Sequence, residues 1–168
     1  GTHFGRDDTI NCTVTPNDGE EDGVSASSQV LTVLNSLPVV ADVTLPPSAP
    51  REGDTITVST GTLTDADGDT PTVAYAWRLN GGGLGLDSTI DSLSDTYFSK
   101  GDTIEVVLTP NDGTDDGLSV TSTSVTAINT APTISTVTVV PEPVASNGTL
   151  GAIPWATDVD GDTITHSY

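Results

Sequence analysis

Apolar and polar residues alternate along several short segments of this chain. In residues 102–109, DTIEVVLT, the side chains of Ile104, Val106 and Leu108 fall on one face, and Glu105 falls on the other. A period of two is that of a β-strand with one buried face. The same pattern predicts strands at residues 39–45, 55–63, 71–79, 84–97 (two short strands) and 118–128. No segment has a convincing helical period, so the chain is predicted to be all-β.

Glycine, proline, asparagine and aspartate separate these predicted strands at short intervals. Such spacing is typical of an antiparallel β-sandwich, here with about seven strands in each domain. Trp77 lies in the middle of segment 71–79, on its apolar face. We therefore predict that this tryptophan belongs to the core.

The chain contains an internal repeat. Residues 4–23, FGRDDTINCTVTPNDGEEDG, and residues 98–117, FSKGDTIEVVLTPNDGTDDG, are identical at eleven of twenty positions, at an offset of 94. The correspondence continues from Asn35 to Asn129. A repeat of this length suits one small β-domain.

The repeat predicts three segments. Residues 1–37 correspond to the C-terminal part of one repeat, residues 38–131 to a complete repeat, and residues 132–168 to the N-terminal part of a third. The boundaries fall at two short proline-containing linkers, LNSLP at 34–38 (the first linker) and INTAP at 128–132 (the second linker). We read the chain as part of a longer tandem array. Cys12 aligns with Val106, which predicts a small buried hydrophobe, and the alternative is a reactive or intermolecular thiol.

The net charge of −20 comes mainly from aspartate, which prefers turns and caps to helix surfaces. Such a charge excludes a general nucleic-acid binder, because phosphate contacts need a basic surface. It also disfavours anionic membranes, and no apolar stretch reaches the roughly 20 residues that span a bilayer. A body of this charge repels itself unless counter-ions bind to it, and divalent cations are the obvious candidates.

Two nearly identical acidic loops recur at an offset of 93. The first acidic loop is TDADGDT at 64–70, and the second acidic loop is TDVDGDT at 157–163. If the strands run alternately up and down, the first acidic loop and the turn PNDGTDDG at 110–117 lie where the preceding domain attaches. That domain contributes the loop GRDD at 5–8, and the first linker contributes Asn35.

Each junction is therefore expected to gather oxygen ligands from both domains. The candidate ligands at the first junction are Asp7, Asp8, Asn35, Asp65, Asp67, Asp69, Asp112 and Asp116. Those at the second junction are Glu52, Asp54, Asp102, Asn129, Asp158, Asp160 and Asp162. Many hard oxygen ligands suit Ca²⁺ better than Mg²⁺, which demands strict octahedral order. The alternative for any single copy is an ordinary solvated turn.

The strings TDADGDT, YAWRLNG, YFSKGDTIEVVLTPNDGTDDG and NTAP resemble the tandem Ig-like, cadherin-like or PKD-like repeats of large bacterial extracellular proteins. This resemblance implies β-sandwich modules in stalks, adhesins or fibres. It also implies that Asp65 and Asp67 match the D-x-D loop of a cadherin calcium site and that Asn35 matches its linker ligand. The linker lacks the D-x-N-D-N string of cadherins, and SKGDT replaces their acidic motif, so we expect fewer ions per junction.

No motif for a nucleophile, a phosphate loop or a zinc site is present, so the chain is not expected to be an enzyme. The leading hypothesis is a structural segment of an extracellular or cell-surface bacterial stalk, adhesin or filament, with calcium-stiffened junctions. Its partners would be neighbouring repeats of the same chain or fibre, and surface glycans or other cells. The alternatives are a carbohydrate- or surface-binding module and the protomer of a fibre assembled by strand exchange.

Overall fold

The computed structural model of the chain describes residues 4–168, and the first three residues of the predicted segment 1–37 lie outside it. Its strands form antiparallel sheets, and the helical structure in the described part is one 3₁₀ turn at Asp95–Tyr97. The prediction of an all-β chain is confirmed at this level. No helix among residues 4–168 is long and apolar enough to cross a membrane.

The strands are short, apart from four. They are β1 Thr9–Ile10, β2 Thr13–Val14, β3 Ala26–Ser27, β4 Leu31–Thr32, β5 Val39–Val40, β6 Val43–Thr44, β7 Thr55–Thr57, β8 Ser59–Thr60, β9 Leu63–Thr64, β10 Thr72–Leu79, β11 Gly82–Gly83, β12 Ser92–Ser94, β13 Thr103–Asn111, β14 Val120–Thr121, β15 Val125–Thr126, β16 Thr133–Val140 and β17 Gly151–Thr157.

The chain divides into two compact units. Among the described residues, the first consists of residues 4–42, Thr60–Ala74 and Leu108–Val120, and the second of Val43–Ser59, Tyr75–Val107 and Thr121–Tyr168. In the first unit, β1 pairs with β4, β2 with β3, and β5 with β9. In the second unit, β7 pairs with β12, β10 with β11, β13 with β15, and β16 with β17.

The sequence repeat is also a repeat of backbone pairing. Thr9 pairs with Thr32 in β1 and β4, and the residues 94 positions later, Thr103 and Thr126, pair in β13 and β15. The acidic turn repeats as well, because the bridge from Asn17 to Asp22 recurs from Asn111 to Asp116.

The last segment repeats the first strands of the central segment. Val39 pairs with Thr64 in β5 and β9, and Thr133 pairs with Thr157 at the equivalent place in β16 and β17. The first and second acidic loops therefore each follow a strand that is paired in the same register.

The apolar alternation that predicts β13 matches its burial. Ile104, Val106 and Leu108 are completely buried, whereas Glu105 on the other face is partly exposed. Trp77 is also buried, as predicted, and its indole Nε1 donates a hydrogen bond to the carbonyl of Ile90 at 2.8 Å. This hydrogen bond satisfies the one polar group that the tryptophan would otherwise bury unpaired.

Cys12 is exposed, so the prediction of a buried cysteine is wrong in this structure. The equivalent residue, Val106, is fully buried, and the sequence alignment itself is consistent with the pairing of β1 and β4. Val14, whose equivalent is the buried Leu108, is exposed as well. Cys12 and Val14 therefore lie on an exposed face of the first segment, whereas the corresponding face of β13 is buried.

Candidate metal centres at the two linkers

The first acidic loop folds around the carboxylate of its first aspartate. Asp65 Oδ1 accepts hydrogen bonds from the backbone N–H groups of Asp67 at 2.8 Å and Asp69 at 3.4 Å. Gly68 supplies the positive φ of 88° that this tight turn needs. Aspartate favours such turns because its side chain can accept from the backbone a few residues later. The turn leaves the second oxygen, Oδ2, free to point elsewhere.

The second acidic loop is built in the same way. The backbone N–H of Asp162 donates to Asp158 Oδ1 at 3.1 Å, and Gly161 has a φ of 76°. The spacing D-x-D-G-D therefore gives the same local turn twice.

Both loops bring three carboxylates together. One carboxylate oxygen from each of Asp65, Asp67 and Asp69 lies within 4.8 Å of the others, and the same is true of Asp158, Asp160 and Asp162. We call these groups the first and second aspartate clusters. Like charges this close repel one another unless a cation or a set of donors neutralises them.

Each cluster contains a buried oxygen without a hydrogen-bond partner. In the first cluster this atom is Asp65 Oδ2; in the second it is Asp160 Oδ1, and Thr130 Oγ1 in the second linker is also unpaired. Burying a charged oxygen without a partner is costly, and such atoms call for an explanation. A bound cation would satisfy them.

The backbone of each linker donates a hydrogen bond to the neighbouring aspartate cluster. The N–H of Ser36 donates to Asp67 Oδ2 at 2.7 Å, and the N–H of Thr130 donates to Asp160 Oδ2 at 2.5 Å. Ser36 and Thr130 each follow a linker asparagine and are 94 positions apart. The same backbone contact therefore docks both linkers.

A basic side chain reaches each cluster from the preceding loop. Arg6 donates to the linker residue Asn35 at 2.7 Å and forms a salt bridge with Asp69. Lys100 donates to the linker residue Asn129 at 3.2 Å and forms a salt bridge with Asp162. The hydrogen bonds to these aspartates raise the pKa of both basic groups above their ordinary values. Both therefore stay charged at neutral pH.

The acidic turn 110–117 joins the first cluster through Asn35. The side-chain Nδ2 of Asn35 donates to Asp112 Oδ2 at 2.9 Å and to Asp115 Oδ2 at 3.2 Å. Backbone N–H donation from Asp115, followed by the hydrogen bond from Asn35, lowers the pKa of Asp112. The Asp112 carboxylate is thus held in its ionised form beside the linker.

The other candidate ligands lie outside the two aspartate clusters. Several of them stabilise their own turns: Asp8 accepts from the N–H of Gly5, Asp54 from that of Arg51, Asp102 from that of Ser99, and Asp116 from the side chain of Asn111. Asp7 and Glu52 also lie outside both groups. The structure therefore gathers Asp65, Asp67, Asp69, Asn35 and Asp112 at the first linker, and Asp158, Asp160, Asp162 and Asn129 at the second.

Sequence reasoning missed five residues at these sites: Arg6, Lys100, Ser36, Thr130 and Asp115. The two basic residues carried a detectable signal, because they are two of only four in the chain and occupy equivalent positions of the repeat. Asp115 carried none, since Asp116 beside it has the same chemistry.

The donor set of the clusters consists of carboxylate oxygens, with an amide oxygen at each linker. Hard oxygen ligands from flexible loops are the set that Ca²⁺ takes, at 6–8 ligands and without strict geometry. The residues present thus fit a calcium ion. No protein-family model, no curated protein and no solved structure matches this chain.

Proposed function

We propose that this chain is a structural segment of an extracellular bacterial stalk, adhesin or filament. In this proposal its repeats are Ig-like or cadherin-like β-sandwich domains, and Ca²⁺ binds at the linkers between them. One observation carries the proposal. Two linkers, 94 residues apart, make the same contacts with the same kind of aspartate cluster, and each cluster keeps a buried oxygen that has no partner.

Charge favours a divalent ion at both sites. Five carboxylates, those of Asp65, Asp67, Asp69, Asp112 and Asp115, and one guanidinium give a formal charge of −5 + 1 = −4. The second site has three carboxylates and one ammonium, or −3 + 1 = −2. Ligand charge tunes calcium affinity, and the excess of negative charge at both linkers favours a divalent cation there.

Calcium would stabilise the docked linker by linkage. An ion that binds only when the linker and the aspartate cluster are together lowers the free energy of that state, by about 2.7 kcal/mol at a concentration one hundred times the dissociation constant. The ion needs no catalytic role in this account. A chain of domains would become stiffer because the linker between neighbouring domains adopts fewer conformations.

Two other functions remain as alternatives: a carbohydrate- or surface-binding module and a strand-exchanging protomer. A sugar-binding platform needs exposed aromatic rings, and Trp77 is excluded from that role by its burial. Trp155 is 69% exposed and its cross-strand neighbour is Thr136, so β17 presents one ring beside a small polar residue. A single exposed ring on β17 is less than the group of rings that a sugar-binding platform needs, which supports the structural role.

Calcium titration calorimetry tests the proposal. The wild-type chain should bind Ca²⁺ with dissociation constants on the order of a millimolar or tighter, as extracellular calcium modules do. Asp65→Asn should remove binding at the first site, and Asp158→Asn should remove binding at the second. Asparagine keeps an oxygen that can accept the turn hydrogen bonds, so the loss would report the missing charge and ligand.

Asp87→Asn is the matched control. Asp87 also closes a turn, by accepting from the N–H and hydroxyl of Thr89, but it belongs to neither cluster. We expect its titration to equal that of the wild type. Absence of calcium binding at millimolar concentrations, or an equal loss in the control, would contradict the proposal.

A further inference from the structure

The two basic residues at the linkers make a matched set of contacts that the proposed calcium sites do not require. Arg6 and Lys100 are 94 positions apart, and each contacts a linker asparagine and the third aspartate of the following acidic loop. The contact recurs although one residue carries a guanidinium and the other an ammonium. The shared feature is therefore the positive charge and its position.

We propose that Arg6 and Lys100 are tethered counter-ions. Each holds its linker on the following acidic loop when no metal is bound, and each competes with a bound divalent cation for the third aspartate of that loop, Asp69 or Asp162. The competition with metal rests on the proposed calcium binding. The docking of the metal-free linker does not.

The geometry separates the roles of the three aspartates in the first cluster. The third aspartate, Asp69, forms a salt bridge with Arg6. The second, Asp67, accepts a hydrogen bond from the backbone N–H of Ser36. The first, Asp65, uses one oxygen for the turn and keeps Oδ2 buried without a partner. The basic side chain thus neutralises one side of the cluster and leaves the other side available.

The tether also extends beyond the cluster. Asn35 accepts from Arg6 through its Oδ1 and donates through its Nδ2 to Asp112 and Asp115. Arg6, the first linker and the turn 110–117 are therefore joined by one run of hydrogen bonds. All of these hydrogen bonds join protein atoms, so the run needs no metal ion to hold the linker in place.

A cation bound at the free side of the cluster would lie close to the basic group. Two positive charges sharing one aspartate repel each other, and removal of the tethered charge should tighten the binding of a divalent ion by roughly three- to tenfold. The same removal should loosen the metal-free linker. These opposite effects distinguish a tethered counter-ion from a residue that merely stabilises the fold.

Amide hydrogen exchange in the presence of chelator tests the first part of the proposal, that the basic residues hold the metal-free linkers in place. The N–H groups of Ser36 and Thr130 report docking of the first and second linkers, because they donate to Asp67 and Asp160. Arg6→Gln should speed exchange at Ser36 by roughly two- to fivefold, as loss of an exposed ion pair allows, and leave Thr130 unchanged. Lys100→Gln should do the reverse.

Arg78→Gln serves as the control for charge. Arg78 pairs with Glu105 at 3.3 Å, outside both clusters, so its replacement should change neither amide. Unchanged exchange at Ser36 in Arg6→Gln and at Thr130 in Lys100→Gln would contradict the claim that these residues hold the linkers, whether or not calcium binds.

Calorimetry tests the second part of the proposal, that the basic residues compete with a bound divalent cation. The calcium dissociation constant of the first site should fall in Arg6→Gln, that of the second site should fall in Lys100→Gln, and Arg78→Gln should change neither. An unchanged or weaker affinity would overturn the competition. Failure of the wild type to bind calcium would instead contradict the proposed function, and the exchange measurements would still decide the tether.

Discussion

Replacing Trp77 by alanine is expected to lower the free energy of unfolding by about 3–5 kcal/mol, the usual cost of deleting a large buried aromatic ring. The side chain is 2% exposed and lies in the long strand β10. Truncation leaves a cavity and also removes the donor that satisfies the carbonyl of Ile90. Urea unfolding followed by circular dichroism gives the difference directly.

The chain supplies its own control in its only other tryptophan. Trp155 is largely exposed, so Trp155→Ala should change the free energy of unfolding by about 0.5 kcal/mol or less. Equal losses in the two variants would mean that Trp77 is not part of a packed core and that the strand pattern around it has been misread.

Gly117→Ala is expected to have the second-largest effect, because a methyl group at this position has no room. A Cβ on Gly117 would lie 2.0 Å from the carbonyl oxygen of Pro38, which is backbone and belongs to the end of the first linker. Relief of the clash must move either the linker or the turn 110–117. Overpacking of this kind costs about 1–3 kcal/mol, so we expect a lower melting temperature.

The same substitution should also undock the first linker. Faster amide exchange at Ser36 would show this, because its N–H donates to Asp67 only when the linker is in place. Gly83→Ala is the control, since no atom lies within 4 Å of its added Cβ and its φ is not positive. If both variants melt alike, the close approach of Pro38 to Gly117 does not contribute to stability.

The sequence predicted the strands best where alternation was unbroken. The period of two located β10 and β13 with small errors at their ends, because one buried face dominates the energy of such strands. It did less well at residues 84–97, where β12 covers only Ser92–Ser94. There Gly85 has a positive φ and Asp87 closes a turn with Thr89, so local turn chemistry overrides the apolar spacing.

The acidic loops were predictable as a pair, but the details of the candidate sites were not. The repeat of D-x-D-G-D identifies both aspartate clusters, because the spacing itself creates the turn. The orientation of single side chains is set by local hydrogen bonds: Asp116 turns to Asn111, whereas Asp115 beside it reaches Asn35. Sequence pattern does not distinguish two adjacent aspartates in one turn.

Arg6 and Lys100 were missed for a different reason. A search for metal ligands considers oxygen donors and passes over basic residues, although a positive side chain also relieves a crowded acidic site. The exposed Cys12 shows a third limit. A repeat alignment predicts which face of a strand is apolar, but burial depends on whether a second layer covers that face.

Small-angle X-ray scattering of the chain in calcium and then in chelator tests the central claim most directly. If Ca²⁺ holds each linker against its aspartate cluster, calcium should give the scattering of a less flexible particle in a normalised Kratky plot, and Asp65→Asn with Asp158→Asn should remove that response. Identical scattering curves in calcium and chelator would contradict the account, because an ion that leaves the linkers unchanged does not stiffen them.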